Sequence, residues 1–163
     1  MNRREFIGTA GLAAAALCSA GPMEQHEHEE AMQTIFAVQR HFFPKGLLLP
    51  DADSFGAAIY TRRAMAHSSF DPDIRHALLE GARRLQQRCD TPFVSLSPQK
   101  KEQLLRGFEK DSFGAYWLST LMNLTLEALL ADPIYGGNRD EAGWKAFSLT
   151  PGKPRPKKRY CGV

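Results

Sequence analysis

The chain is 163 residues long, 43% hydrophobic, and carries a formal net charge of +3 at pH 7. That is enough apolar material for one hydrophobic core and too little length for two. The charge does not mark a nucleic-acid-binding protein: Lys153, Arg155, Lys157, Lys158 and Arg159 gather it into the tail, and without them and residues 1–20 the body is slightly acidic.

Asn2-Arg3-Arg4-Glu5-Phe6-Ile7 resembles a twin-arginine translocation signal, with Arg3, Arg4 and Phe6 as the residues that carry the likeness. The uncharged run 6–23 is rich in alanine and glycine rather than leucine, so it suits transient export better than a permanent anchor. Cys18-Ser19-Ala20 offers the small residues a signal peptidase needs, and cleavage is expected after Ala20. A lipoprotein reading through Cys18 is disfavoured by Leu17. Residues 1–20 are therefore read as a signal peptide and the mature chain as periplasmic. Cargo of this route folds before export, commonly because a cofactor or a partner is acquired in the cytoplasm. Cys89 and Cys161 then remain. They pair in one reading, closing a long loop worth about 4 kcal/mol in the chain-entropy model. In the other, Cys89 is a small buried hydrophobe and Cys161 is free or bonded to a partner.

Residues 24–43 read as a helix with an acidic start, with Met32, Ile35, Phe36, Phe42 and Phe43 on one face and Gln39 as a polar gap. His26, Glu27, His28, Glu29 and Glu30 hold metal-ligand chemistry, but His26 and His28 stand two apart and point to different sides of a helix, so a solvated helix start is expected. Pro44-Lys45-Gly46 ends the helix and Leu47-Leu48-Leu49-Pro50 is a short apolar connector. Asp53 or Ser54 is the expected cap of a second helix carrying Phe55, Ala58, Ile59, Met65 and Ala66. Asp71-Pro72 opens a third, whose stripe is Ile74, Leu78, Gly81 and Leu85; Gly81 admits a close neighbour. Arg62, Arg63, Arg83, Arg84 and Arg88 are expected on solvated faces with local acidic partners. After Thr91-Pro92, the residues Phe93, Val94 and Leu96 are expected to plug the core, and Ser97-Pro98 starts a helix with Leu104, Leu105 and Phe108. Residues 112–131 form the most apolar helix. Phe113, Tyr116, Trp117, Leu121, Leu124 and Ala128 share one face, and Leu118, Met122, Leu129 and Leu130 fill the flanks. A rod so apolar is central to a bundle or covered by a partner.

No alternating strand pattern and no repeat appears, so the expected fold is all-α. Residues 21–147 make a small helical bundle that includes an irregular Gly/Pro-rich loop, and residues 148–163 an extended, proline-rich basic arm. No Gly-rich nucleotide turn follows a strand, and no Cys-x-x-Cys or haem-attachment motif occurs. His41, His67 and His76 stand singly, with no nucleophile motif to use them. No catalytic, cofactor-binding or metal-ligating residue is assigned, and the chain is read as no enzyme in itself. A competing reading is a free-standing periplasmic protein that binds acidic surfaces through the arm or a metal through His26 and His28.

The apolar helix breaks at Asp132-Pro133, turns through Gly136-Gly137-Asn138, and offers Arg139, Asp140 and Trp144 from a loop. Tyr135, Asn138, Arg139, Asp140 and Trp144 mix aromatic anchors with a charged pair, a composition enriched at interface hot spots. On the residues alone, Trp144 packed into the bundle and Asp140 pairing with Arg139 or capping the loop is the favoured reading. Thr125-Leu126-Glu127-Ala128, Asp132-Pro133-Ile134-Tyr135-Gly136-Gly137-Asn138-Arg139-Asp140, Gly143-Trp144-Lys145 and Pro151-Gly152-Lys153-Pro154-Arg155-Pro156 together resemble the C-terminal signature of the gluconate 2-dehydrogenase subunit 3 family. After Trp144 the chain reads Lys-Ala-Phe-Ser-Leu-Thr-Pro-Gly, where the gluconate enzymes have a Gly-Phe-Pro-Gly-like run. The resemblance implies a small, non-catalytic subunit that binds a large FAD-dependent dehydrogenase of the glucose-methanol-choline type, acting on a sugar, sugar acid or polyol. It also implies that the flavin sits in the partner, that a cytochrome c subunit takes the electrons, and that the two subunits leave the cell together through the twin-arginine machinery. Tyr135, Asn138, Arg139, Asp140, Trp144, Pro154 and Arg155 are the partner-binding residues it implies.

Overall fold

A computed structural model describes residues 22–159; Arg3, Arg4, Phe6 and Cys161 lie outside the described residues. Six α-helices follow one another: α1 (Pro22–Phe42), α2 (Ala57–Ala66), α3 (Pro72–Gln87), α4 (Pro98–Phe108), α5 (Ser112–Leu130) and α6 (Ala142–Ala146). Three single 3-10 turns join them, and no strand occurs among the described residues, so the fold is all-α as the periodicity requires.

Local signals start the helices that begin at a proline. Asp71 accepts the backbone N–H groups of Asp73 and Ile74 at 2.8 and 3.2 Å to cap α3, and Ser97 accepts that of Lys100 at 3.3 Å to cap α4. Each cap contributes about 1 kcal/mol. Asp111 caps α5 through the Gly114 N–H at 2.7 Å, and that bond, ahead of the Arg88 guanidinium, holds its carboxyl below the usual range.

The start of α2 differs from the expected one. The helix begins at Ala57 behind Gly56, which is left-handed at φ 82° and offers no side-chain cap. Ser54 instead bonds back to Asp51, Asp53 pairs with Arg40 at 2.8 Å, and Phe55 is buried edge-on to Phe43 before the helix begins. Val94 also departs from expectation: Phe93 is fully buried and Leu96 packs against the core, but Val94 faces solvent. Tyr116, expected beside Trp117 on the inner face of α5, is half exposed, because one residue on a helix turns a side chain by about 100°.

The core gathers Met32, Ile35, Leu78, Leu85, Phe93, Phe108, Trp117, Leu121 and Leu129 around α5. Trp117, Arg84 over the Phe113 ring and the Arg88–Asp111 pair place α3 antiparallel to α5. Gln39, the polar gap in α1, is 1% exposed and donates to Thr61 at 2.8 Å and Thr125 at 3.1 Å, tying α1, α2 and α5 at one level. From that level α1 runs on to Phe42, α2 runs back to Ala57, and α5 runs on to Leu130. The 43–56 connector and the C-terminal loop therefore emerge at the same end of the bundle, and Arg139 N–H closes on the Phe55 carbonyl across them.

Surface ion pairs fasten α1 to α2. Arg62 grips Glu29 through both guanidinium nitrogens at 2.9 and 3.0 Å and lies over the Phe36 ring. The bond from Arg62, then that from Gln33, lowers the Glu29 carboxyl from 4.5 to about 2. A depressed carboxylate contributes stability above its unfolded value and loses it on the way down to its folded value. Stability should therefore fall between pH 4.5 and about 2 by no more than about 1 kcal/mol, the pair being half exposed. Thermal midpoints of Glu29→Gln across that window should show a shallower acid limb than the parent; parallel limbs would count against the pair.

Candidate functional site

The C-terminal loop is built on the open end of α5, where helical carbonyls lack partners. Asp132 turns its carboxylate onto the Ile134 N–H at 3.1 Å and starts the 3-10 turn Pro133–Tyr135, which closes at Gly136. Gly136 has φ 100°, a conformation costly for any residue with a Cβ, and the Arg63 guanidinium fills the space such an atom would take. Asn138 follows, wholly buried and left-handed at φ 43°. Its backbone N–H donates to the Ala128 carbonyl at 2.7 Å, and its side-chain amide donates to Ala131 at 2.9 Å. Its Oδ1 accepts the Gly143 N–H at 2.8 Å, so one residue joins the last turn of α5 to the first turn of α6. Trp144 on α6 is 8% exposed and donates its indole N–H to the Leu130 carbonyl at 2.8 Å.

The arm returns across this assembly. Arg155 donates to Asp132 at 2.9 Å and to Glu141 at 2.7 Å and lies 4.9 Å from the centre of the Trp144 ring. Arg159 donates to the Ile134 carbonyl at 3.1 Å. The bond from Arg155 holds the Asp132 carboxyl below its usual range, and the bonds to Asp132 and Glu141 raise the guanidinium, which stays charged throughout. The strap is thus intact above the ordinary carboxylate range and loosens as pH falls through the lowered Asp132 value. Arg155→Gln should raise proteolytic cleavage within the arm roughly five- to tenfold at neutral pH, the worth of one or two exposed pairs. An acid-active protease should find the parent arm more open as Asp132 protonates. Equal digestion of parent and variant would show that Arg155 does not fasten the arm.

The seven residues named from sequence at the loop and arm therefore lie in one assembly, but they do different work. Asn138, Trp144 and Arg155 are engaged within the chain. Tyr135 is half buried. Arg139, Asp140 and Pro154 face solvent, and Asp140 also gives its carbonyl to Lys145. Sequence reasoning missed Arg63, which it placed on a solvated face with an acidic partner; its neighbours Arg62, Arg83, Arg84 and Arg88 do have carboxylates, while Arg63 reaches over the Gly136 turn instead. The Arg62-Arg63 pair is the one signal of it, since consecutive helical residues cannot share a face. Around the loop, α5 leaves Leu126 and Leu130 more than a third exposed.

Cys89 is half buried at the end of α3, with its thiol donating to the Leu85 carbonyl at 3.3 Å. Arg88 beside it reaches Asp111 at the start of α5, whereas Arg159 is fixed beyond the other end of that 19-residue helix, about 28 Å away at 1.5 Å per residue. Cys161, the other member of the expected pair, lies outside the described residues.

Three of the described histidines are engaged locally: His26 pairs with Glu30 at 3.6 Å, His41 with Glu102 at 2.7 Å, and His67 with Ser69 at 2.7 Å. No three of His, Cys, Asp and Glu converge among the described residues. What the loop presents is recognition chemistry: guanidinium groups, a solvated carboxylate and apolar edges. No curated protein and no solved structure matches the chain. The gluconate 2-dehydrogenase subunit 3 family matches it over residues 29–152, from the first helix through the Asn138 loop to Gly152 in the arm. With roughly three quarters of its length so matched, the chain belongs to the gluconate 2-dehydrogenase subunit 3 family.

Proposed function

We propose that this chain is the small, non-catalytic subunit of a periplasmic, FAD-dependent dehydrogenase of the glucose-methanol-choline type acting on a sugar, sugar acid or polyol. The observation that carries the reading is the family match through the helices and the loop. The chain folds in the cytoplasm, binds the large flavoprotein, and takes it through the twin-arginine machinery on its own residues 1–20. It then stays bound, while a cytochrome c subunit accepts the electrons. The flavin belongs to the large subunit, and hydride transfer takes place there. Exposed Asp140, the Tyr135 edge and the outer leucines of α5 support a docking role, since aromatic and apolar groups contribute strongly to interface energetics.

Co-expression with a candidate large flavoprotein, followed by fractionation, tests this. Dye-linked dehydrogenase activity should appear in the periplasm with the full chain and remain in the cytoplasm when residues 1–20 are deleted. The two chains should also co-purify with FAD in stoichiometric ratio to the large one. Normal export of the flavoprotein beside the deleted chain would overturn the export role. Failure of every candidate flavoprotein to co-purify would overturn the subunit role.

A further inference from the structure

At the end of the bundle where the loop emerges, the connector between α1 and α2 makes a second, separate feature. Its base is closed by the Ala52 N–H donating to the Phe43 carbonyl at 3.0 Å, and Leu49 packs against the core. Beyond that base, Leu47 is 61% exposed and Leu48 is fully exposed, with exposed Lys45 beside them. Two leucines held at a loop tip, one mostly and one wholly in water, keep most of the unfavourable hydration that folding removes elsewhere. The same end carries cations without partners. Among the described arginines, Arg63 and Arg139 alone make neither a side-chain hydrogen bond nor an ion pair, and they flank the Gly56–Gly136 contact. Lys157 and Lys158 stand exposed on the arm, between Arg155 at Asp132 and Arg159 at the Ile134 carbonyl. The start of α1, at the far end of that helix, carries Glu24, Glu27, Glu29 and Glu30.

We propose that this end of the molecule binds an anionic lipid surface, with Leu47 and Leu48 entering the headgroup boundary and Lys45, Arg63, Arg139 and the arm lysines facing the lipid phosphates. Neither signal suffices alone. A short apolar anchor gives marginal, reversible attachment, and a basic patch acts only within a Debye length, but the two together hold a protein at an interface. Charge complementarity selects the occupant. A protein partner must supply both a pocket for a protruding leucine pair and carboxylates matched to separated guanidinium groups. An anionic bilayer supplies apolar depth and negative charge without a fitted shape.

Sedimentation with vesicles tests this on the full chain and on the chain from residue 21 onward, which retains every described contact. Vesicles of phosphatidylcholine with phosphatidylglycerol should bind the protein, and phosphatidylcholine alone should not. Leu47→Ser/Leu48→Ser should lower the partition about tenfold with an unchanged thermal midpoint, because both side chains are already in water. Arg63→Gln/Arg139→Gln should lower it severalfold, and added salt should do the same. No partition on the anionic vesicles, equal partition on both kinds, or full binding by the leucine variant would each overturn the proposal. So would loss of flavoprotein association in the leucine variant when vesicles never bind, which assigns the tip to a protein interface. No flavoprotein enters the vesicle assay, so its failure leaves the subunit reading untouched.

Discussion

Trp117→Ala should cost about 3–5 kcal/mol of folding stability, seen as a lower denaturant midpoint at an unchanged slope. The indole is fully buried between α3 and α5, meets Phe108 edge-on at 5.6 Å, and donates its N–H to the Leu78 carbonyl at 2.8 Å. Its room is made by Gly81, where a Cβ would overlap the ring itself. Gly81→Ala should thus destabilise by about 1–3 kcal/mol, even though alanine gains up to about 1 kcal/mol of helix propensity over glycine. The two sites share one space, so in Trp117→Ala/Gly81→Ala the new methyl enters the cavity. The double variant should be more stable than the sum of the single losses predicts. Strict additivity would show that Gly81 and Trp117 do not compete for that space.

Asn138→Ala should be nearly as damaging, at about 3–5 kcal/mol. It removes the bond to the Ala131 carbonyl and the bond from the Gly143 N–H, each leaving a partner group in the interior at about 1–3 kcal/mol. It also asks alanine to hold φ 43°, worth about 1 kcal/mol more. Asn138→Gly relieves only the backbone part and should fall roughly 1 kcal/mol above alanine. Asn138→Asp keeps an acceptor for Gly143 but turns a carboxylate oxygen toward the Ala131 carbonyl, so it should not rescue. Chemical denaturation of the three variants orders them, and an alanine variant within about 0.5 kcal/mol of the parent would remove Asn138 from the framework.

The chain's helices were legible wherever the start signal is local. Asp71-Pro72 and Ser97-Pro98 act through their own backbone, and Gly81 announces a close neighbour without naming it. The start of α2 was not legible, because it is set from outside the segment. Asp53 is drawn to Arg40, and Gly56 is required where the Gly136 carbonyl approaches from the loop. Both partners are distant in sequence. Asn138 and Trp144 are residue types that can be presented or packed, since polar and aromatic side chains serve both uses. Their placement follows from the unpartnered carbonyls at the end of α5, which the loop satisfies by folding back. Nothing in a proline-rich arm shows that Arg155 reaches Asp132 and Glu141, because both carboxylates lie well before it in the chain.

The loop holds three neighbouring non-glycine residues, Asn138, Asp140 and Glu141, at φ values of 43°, 54° and 58°. Each such conformation is disfavoured by about 1 kcal/mol or more and persists only where the surroundings over-determine it. Those surroundings are above all the final turns of α5, whose Ala128 and Ala131 carbonyls hold Asn138 and which a short excised segment does not carry. A synthetic peptide copying residues 132–147 should accordingly be a poor competitor for anything that recognises the loop, and useful inhibitors of such recognition will have to copy the helix end together with the turn.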